Sequence, residues 1–189
     1  MGIGLIIVLV VVGLVILWAI VSYNGLVARR ARVDESWSGI DVQLKRRHDA
    51  VAQVLPALQK AVSHERETLE AVVRARNGAV AAQESGDVAA IGQAEGILTG
   101  AMRQIFALSE AYPELQAVAS LDDFRASIMD NEDKISAARR IYNGNVRDYN
   151  TKIQQLPSNI IAGIGKFTIR EFFEVEDAGE RAVPSIEFS

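Results

Sequence analysis

The 189-residue sequence contains no cysteine, only four prolines and two histidines, and 6% aromatic residues. Without cysteine there are no disulfides, no thiolate metal sites and no cysteine nucleophile. The few prolines leave room for long uninterrupted elements, and Pro113, Pro157 and Pro184 fall where elements are expected to begin or end. The two histidines are His48 and His64. His64-Glu65 lacks the second histidine four residues on that a zinc-protease helix needs, and His48 and Asp49, being adjacent, point to different parts of a helix surface. There is no GxGxxG, no phosphate-binding P-loop and no G-x-S-x-G. The net charge of −4 and the lack of a basic stripe interleaved with aromatics argue against nucleic-acid binding. No nucleophile, base and orienting group can be assembled, so the expectation is a non-enzyme with no cofactor and no metal.

What is present begins with an apolar run. Ile3 to Val21 carries no charge and no proline. As a helix it is about 28 Å long, close to the hydrocarbon thickness of a bilayer. Trp18 and Tyr23 lie at its C-terminal end, where interfacial aromatics are expected. A buried core helix is rarely apolar on every face for this length. A cleaved signal peptide wants a basic leader and a small-x-small site, and Ala19-Ile20-Val21-Ser22 is a poor one. Position 6 is Ile, against the Ser or Thr of a myristoylation signal. The run therefore reads as a membrane anchor. Arg29, Arg30 and Arg32, then Lys45, Arg46 and Arg47, follow it and predict a short N-terminus outside and the remaining chain in the cytoplasm.

The rest is 49% apolar and 23% charged over the whole chain, a globular balance, and is large enough for one domain. From Asn24 to about Ala82 the apolar residues Val33, Trp37, Ile40, Leu44, Val51, Leu55, Leu58, Val62, Leu69 and Val72 recur mostly at threes, fours and sevens, which predicts one long helix kinked at Pro56. Gln83 to Asp87 is a turn, and Asp87 caps a second helix from Val88 to about Ala111, with Ile91, Leu98, Met102, Ile105 and Tyr112 inward. Tyr112-Pro113 ends it. A third helix has Ser120 as its N-cap, Asp122 and Asp123 at its positive end, and a heptad seam through Leu121, Phe124, Ile128, Asn131, Ile135, Ala138, Tyr142, Asn145 and Tyr149. Asn131 and Asn145 read equally as buried register-fixing groups or as the seam's surface edge. A short helix follows from Ser158 to about Ile164. Phe167 to Val175 is aromatic and β-prone, and residues 176–189 are either disordered or a clasp onto another copy. The fold class is all-α: an anchor (1–22), a long-helix antiparallel bundle of four-helix type (23–165) and an extended C-terminal tail (166–189).

Three stretches resemble the LemA family. Tyr23 to Arg30 followed by Glu35 to Asp49, with its Ile-Asp-Val-Gln-Leu-Lys-Arg-Arg string, is similar to the family's opening; His64 to Glu70 and Ala75-Arg76 continue it. Arg139 to Asn143, Val146, Tyr149-Asn150, Ile153, Pro157 and Phe172-Phe173-Glu174 resemble its C-terminal half. Asp49 to Leu58 departs from the family's usual Asp-Leu-Ile-Pro-Asn-Leu, with the proline displaced. The resemblance implies a bacterial inner-membrane protein with one N-terminal anchor and a cytoplasmic antiparallel bundle. It implies an architecture more than a biochemical role.

The interaction candidates are polar and aromatic. Asp41, Lys45 and Asp49 share one stripe, and Arg47 falls between Leu44 and Val51 in the apolar pattern, where a cation needs a carboxylate or carbonyl. Glu65 or Asp133 could serve within the bundle, and Asp41 or Asp49 of a second copy between subunits. The other reading of Lys45-Arg46-Arg47, contact with anionic lipid, is weakened by a path of about 36 Å along a straight helix from the membrane end. Tyr142-Asn143 and Tyr149-Asn150 lie seven apart, on one stripe, and read as packing determinants hydrogen-bonded to a facing helix. Trp37, Phe172 and Phe173 complete the set. Asp122-Asp123, Asp130 to Asp133, and Glu65, Glu67 and Glu70 beside Arg66 and Arg74 read as solvated faces. The expected role is a membrane-tethered scaffold that self-associates as a homo-oligomer; the alternative is an adaptor presenting the bundle to another membrane protein such as a protease.

Overall fold

The computed structural model describes residues 2–62, 64–112, 115 and 119–175. All regular structure among them is helical, in five elements: α1 Gly2–Ala61, α2 Arg66–Ser85, α3 Val88–Ala111, α4 Ala119–Gln154 and α5 Ser158–Ile164. The chain divides into two compact units, one of residues 1–38 and 140–171, the other of 39–139 and 172–189. Both α1 and α4 contribute to each.

In the first unit, α1 changes character along its length. From Ile3 to Val21 the large apolar side chains are exposed; beyond it Leu26 and Val33 are buried. This is a helix long and apolar enough to cross a membrane, and none of its apolar window is buried within the protein. Residues 24–38 pair with the far half of α4 running the other way: Asn145 Nδ2 donates to the Arg32 carbonyl (3.3 Å), and Trp37 lies 5.2 Å from the Tyr142 ring. Val146, which the seam left out, is fully buried, whereas Ala138 is half-buried. After α5 the chain reverses at Gly165-Lys166, where Lys166 takes the left-handed φ of 52°. Phe167 then tucks under Tyr23, edge to face at 5.5 Å, with the Arg30 guanidinium over its ring.

The second unit is a four-helix bundle. The predicted single helix over 24–82 is in fact two. α1 runs through Pro56 and ends at Ala61, and α2 returns antiparallel to it, as the bonds Gln83 to Asp41 and Arg76 Nε to the His48 carbonyl record. The break was invisible because Leu58, Val62 and Leu69 keep helical spacing across it, and all three stay buried. α2 stops at Gly86, whose φ of 71° is the left-handed C-cap geometry open to glycine, and its N–H closes on the Gln83 carbonyl. Asp87 caps α3 as expected, its carboxylate accepting from the Ala89 and Ala90 amides at 3.0 and 3.1 Å. Tyr112 closes α3 through its N–H to Leu108; Pro113 lies outside the described residues, and Ser120 falls one residue inside α4. α4 packs antiparallel to α1 through Leu121, Phe124, Ile128 and Ile135, all buried. Arg66–Glu70 (2.7 Å) and Arg74–Glu70 (4.0 Å) are exposed i,i+4 pairs on α2.

The β-prone 167–175 stretch is extended but pairs with no strand among the described residues, because its backbone is taken up by side chains of the helices. At its far end Phe173 is fully buried, and the Glu174 carbonyl presses on Gly92 of α3 so closely that an added Cβ would collide with it. The proposed clasp of residues 176–189 lies outside the described residues.

Candidate functional site

The most unusual feature of the second unit is a set of charges inside the bundle. Arg47 (1% exposed), His48 (2%) and Glu95 (0%) are all buried. Arg47 belongs to the inward stripe of α1 through the spacing Leu44, Arg47, Val51. Glu95 occupies the equivalent stripe of α3, between Ile91 and Leu98. Isolated charges there would be strongly disfavoured, so they are paired. Arg47 donates through Nη1 to Glu95 Oε2 at 3.0 Å and to Thr99 Oγ1 at 3.5 Å, and through Nη2 meets the half-buried Glu132 of α4. His48 Nε2 lies 2.5 Å from Glu95 Oε1; a carboxylate only accepts, so that nitrogen carries the proton. The backbone is held too, since the His48 carbonyl accepts from Arg76.

Both oxygens of Glu95 are thus engaged by α1. A carboxylate so saturated, at zero exposure, has no position left for a substrate, and the arrangement joins α1, α3 and α4 as an ionic clasp. Arg47 Nε has no partner among the described residues. The clasp borders a cavity of about 190 Å³ that Arg103, Ser136 and Arg139 also line. No three His, Asp or Glu side chains among the described residues converge as metal ligands.

Arg47 does find carboxylates within its own chain, but they are Glu95 and Glu132 in place of Glu65 or Asp133. Glu65 accepts instead from the Tyr112 hydroxyl at 2.6 Å. Asp133 is exposed, and Glu132 leaves the solvated face assigned to Asp130–Asp133 by turning to Arg47. Asp41 accepts from Gln83 at 2.7 Å. Lys45, Arg46 and Asp49 stay on the exposed side of α1. Asn131 is buried, its Nδ2 donating to the Gln43 carbonyl at 3.0 Å, while Asn145 is half-buried.

In the first unit, burial raises the Tyr142 and Tyr149 hydroxyls above their ordinary pKa, partly offset by Arg170. Tyr142 donates to the Glu171 carbonyl (2.9 Å). Asn150 brackets Arg170, donating to its carbonyl at 2.8 Å and accepting from its amide at 2.9 Å. Asn143 is half-buried. The Tyr-Asn pairs therefore hold the extended segment 170–171, and not a facing helix. Phe172 is exposed and Phe173 buried.

The conserved-looking strings and the bundle now meet a direct comparison: the family model described as "LemA family" matches residues 36–188. This chain belongs to the LemA family. The matched LemA region contains the whole clasp. Among curated proteins, the LemA chain is similar to Magnetosome protein MamQ 2 and Magnetosome protein MamQ 1 of Paramagnetospirillum magneticum, each 31% identical over 90 residues. MamQ of Magnetospirillum gryphiswaldense is 29% identical over the same length. The aligned stretch is 48% of this chain and only 33% of each relative, so about a third of their length is spanned.

Sequence reasoning missed His48, Glu95, Thr99 and Glu132. Glu95 alone left a signal: the seven-residue gap between Ile91 and Leu98 requires an inward residue at 94 or 95.

Proposed function

We propose that this chain is a non-enzymatic, membrane-anchored helical scaffold that self-associates through its bundle. One observation carries the reading. The outer face of α1 presents Val42, Lys45, Arg46 and Asp49, all exposed and spaced by three and four, directly behind a buried ionic clasp. A stripe of mixed sign beside an apolar side chain is complementary to a second copy, because the cations of one face the aspartate of another. The buried charges support a structural role, since Arg47, His48 and Glu95 are used up in joining helices. The apolar span and the arginines after it support an inner-membrane anchor with the N-terminus outside and the bundle in the cytoplasm. Membership in the LemA family and the likeness to MamQ support a membrane-associated helical protein, and the self-association is our addition.

The test is the mass of the full chain extracted in mild detergent, by mass photometry. A discrete particle of several copies is expected, and Lys45→Glu with Arg46→Glu should break it down. A monomer would overturn the scaffold and favour an adaptor, whose partner would then be sought by crosslinking in the membrane.

A further inference from the structure

The first unit contains a surface that the scaffold reading does not use. Leu156, Ile160 and Ile164 recur at steps of four and are 73%, 56% and 76% exposed. On the other side of the same short segment, Ser158 and Ala162 are buried at 1% each. α5 is thus apolar both inward and outward. Its position is specific. Ile161 and Ile164 line a groove of about 290 Å³ whose other wall is Ala19, Ile20, Tyr23 and Asn24 of α1. Ala19 and Ile20 belong to the apolar span, and Tyr23 is its interfacial aromatic. Whatever depth those residues occupy, α5 lies beside them.

We propose that α5 is a second membrane contact, lying in the headgroup layer of the bilayer that the N-terminal span crosses, with Leu156, Ile160 and Ile164 among the acyl-chain ends. This rests on the anchor reading above. A helix of seven residues is far too short to span, but its apolar face suits the interfacial depth of about 5–10 Å that amphipathic segments reach. The flanking charges fit as well. Lys166 is exposed immediately after α5, and Arg30 sits over Phe167, both cations within reach of lipid phosphate. The occupant of the surface is therefore lipid: it continues an apolar span and is rimmed by positive charge.

The cysteine-free chain makes a direct test simple. Ile160→Cys and Ile164→Cys carry a fluorescent label in the full chain, reconstituted in phosphatidylcholine vesicles containing phosphatidylglycerol. Nitroxides attached near the headgroup or deep in the acyl chain act as quenchers. Met129→Cys, exposed in the second unit, and Val10→Cys, within the span, are the references. Labels at 160 and 164 should be quenched by the shallow nitroxide about threefold more than the label at 129, the gain expected of a group a few ångströms below the phosphates. If Val10 is quenched by the deep nitroxide while 164 is as open to aqueous iodide as 129, the anchor stands and the α5 contact is wrong. If Val10 also escapes, the membrane reading fails and takes this one with it. Disulfide crosslinking between copies at 164, without lipid quenching, would give the surface to a second copy and overturn the proposal.

Discussion

Glu95 is one side chain holding two buried neighbours, and its removal is the sharpest change available at the residue scale. Glu95→Ala leaves Arg47 with only the half-buried Glu132 and leaves His48 with no carboxylate. Breaking a buried ion pair from one side costs about 3–5 kcal/mol, which should appear as a large drop in the denaturation midpoint of the bundle. Replacing Arg47, His48 and Glu95 together by leucine should recover much of it, because no charge is then stranded. A pH effect belongs to this scale too. Tyr142 and Tyr149 have raised folded pKa values, so their contribution is complete below the unfolded tyrosine value of about 10 and is lost as pH climbs through the folded values. Thermal midpoints should therefore fall as pH rises beyond about 10, and less steeply in the Tyr142→Phe, Tyr149→Phe variant. Arg47 was readable as inward from Leu44 and Val51. Its partners were not, because Glu132 sits in a run of acids that suits solvent equally well, and because His48 beside Asp49 looks like one more surface pair.

At the scale of elements, α3 depends on one atom's width. Gly92 lets the Glu174 carbonyl lie against the helix while Phe173 inserts beside it. Gly92→Ala should lift residues 172–175, costing about 1–3 kcal/mol as overpacking does, and hydrogen exchange should show faster exchange there than in α2. No sequence pattern announces this contact. A glycine within a helical stretch and a Phe-Phe pair some eighty positions later share no periodicity, and only the folded path brings them together. The helices themselves were legible wherever apolar spacing changed, as at Gly86-Asp87. They were illegible at 62–65, where the spacing carries on through a reversal of the chain.

For the whole molecule, the division between an apolar span and a charged remainder was the most legible feature, since 19 uncharged residues at helical rise match a bilayer. Its orientation can be read by protease treatment. In intact cells the bundle should resist added protease, and in lysed cells it should be cut; digestion in intact cells would reverse the topology. What composition could not convey is that neither compact unit is a continuous stretch of chain. The first is built from residues 1–38 and 140–171, the second from 39–139 and 172–189. During synthesis, therefore, the anchor is complete long before either unit has all its parts, and α1 to α3 must wait for α4 with Arg47, His48 and much of the apolar seam uncovered. The protein reaches its membrane unfinished, and the interval between insertion and closure is when it is most exposed to misassembly or to a chaperone's attention.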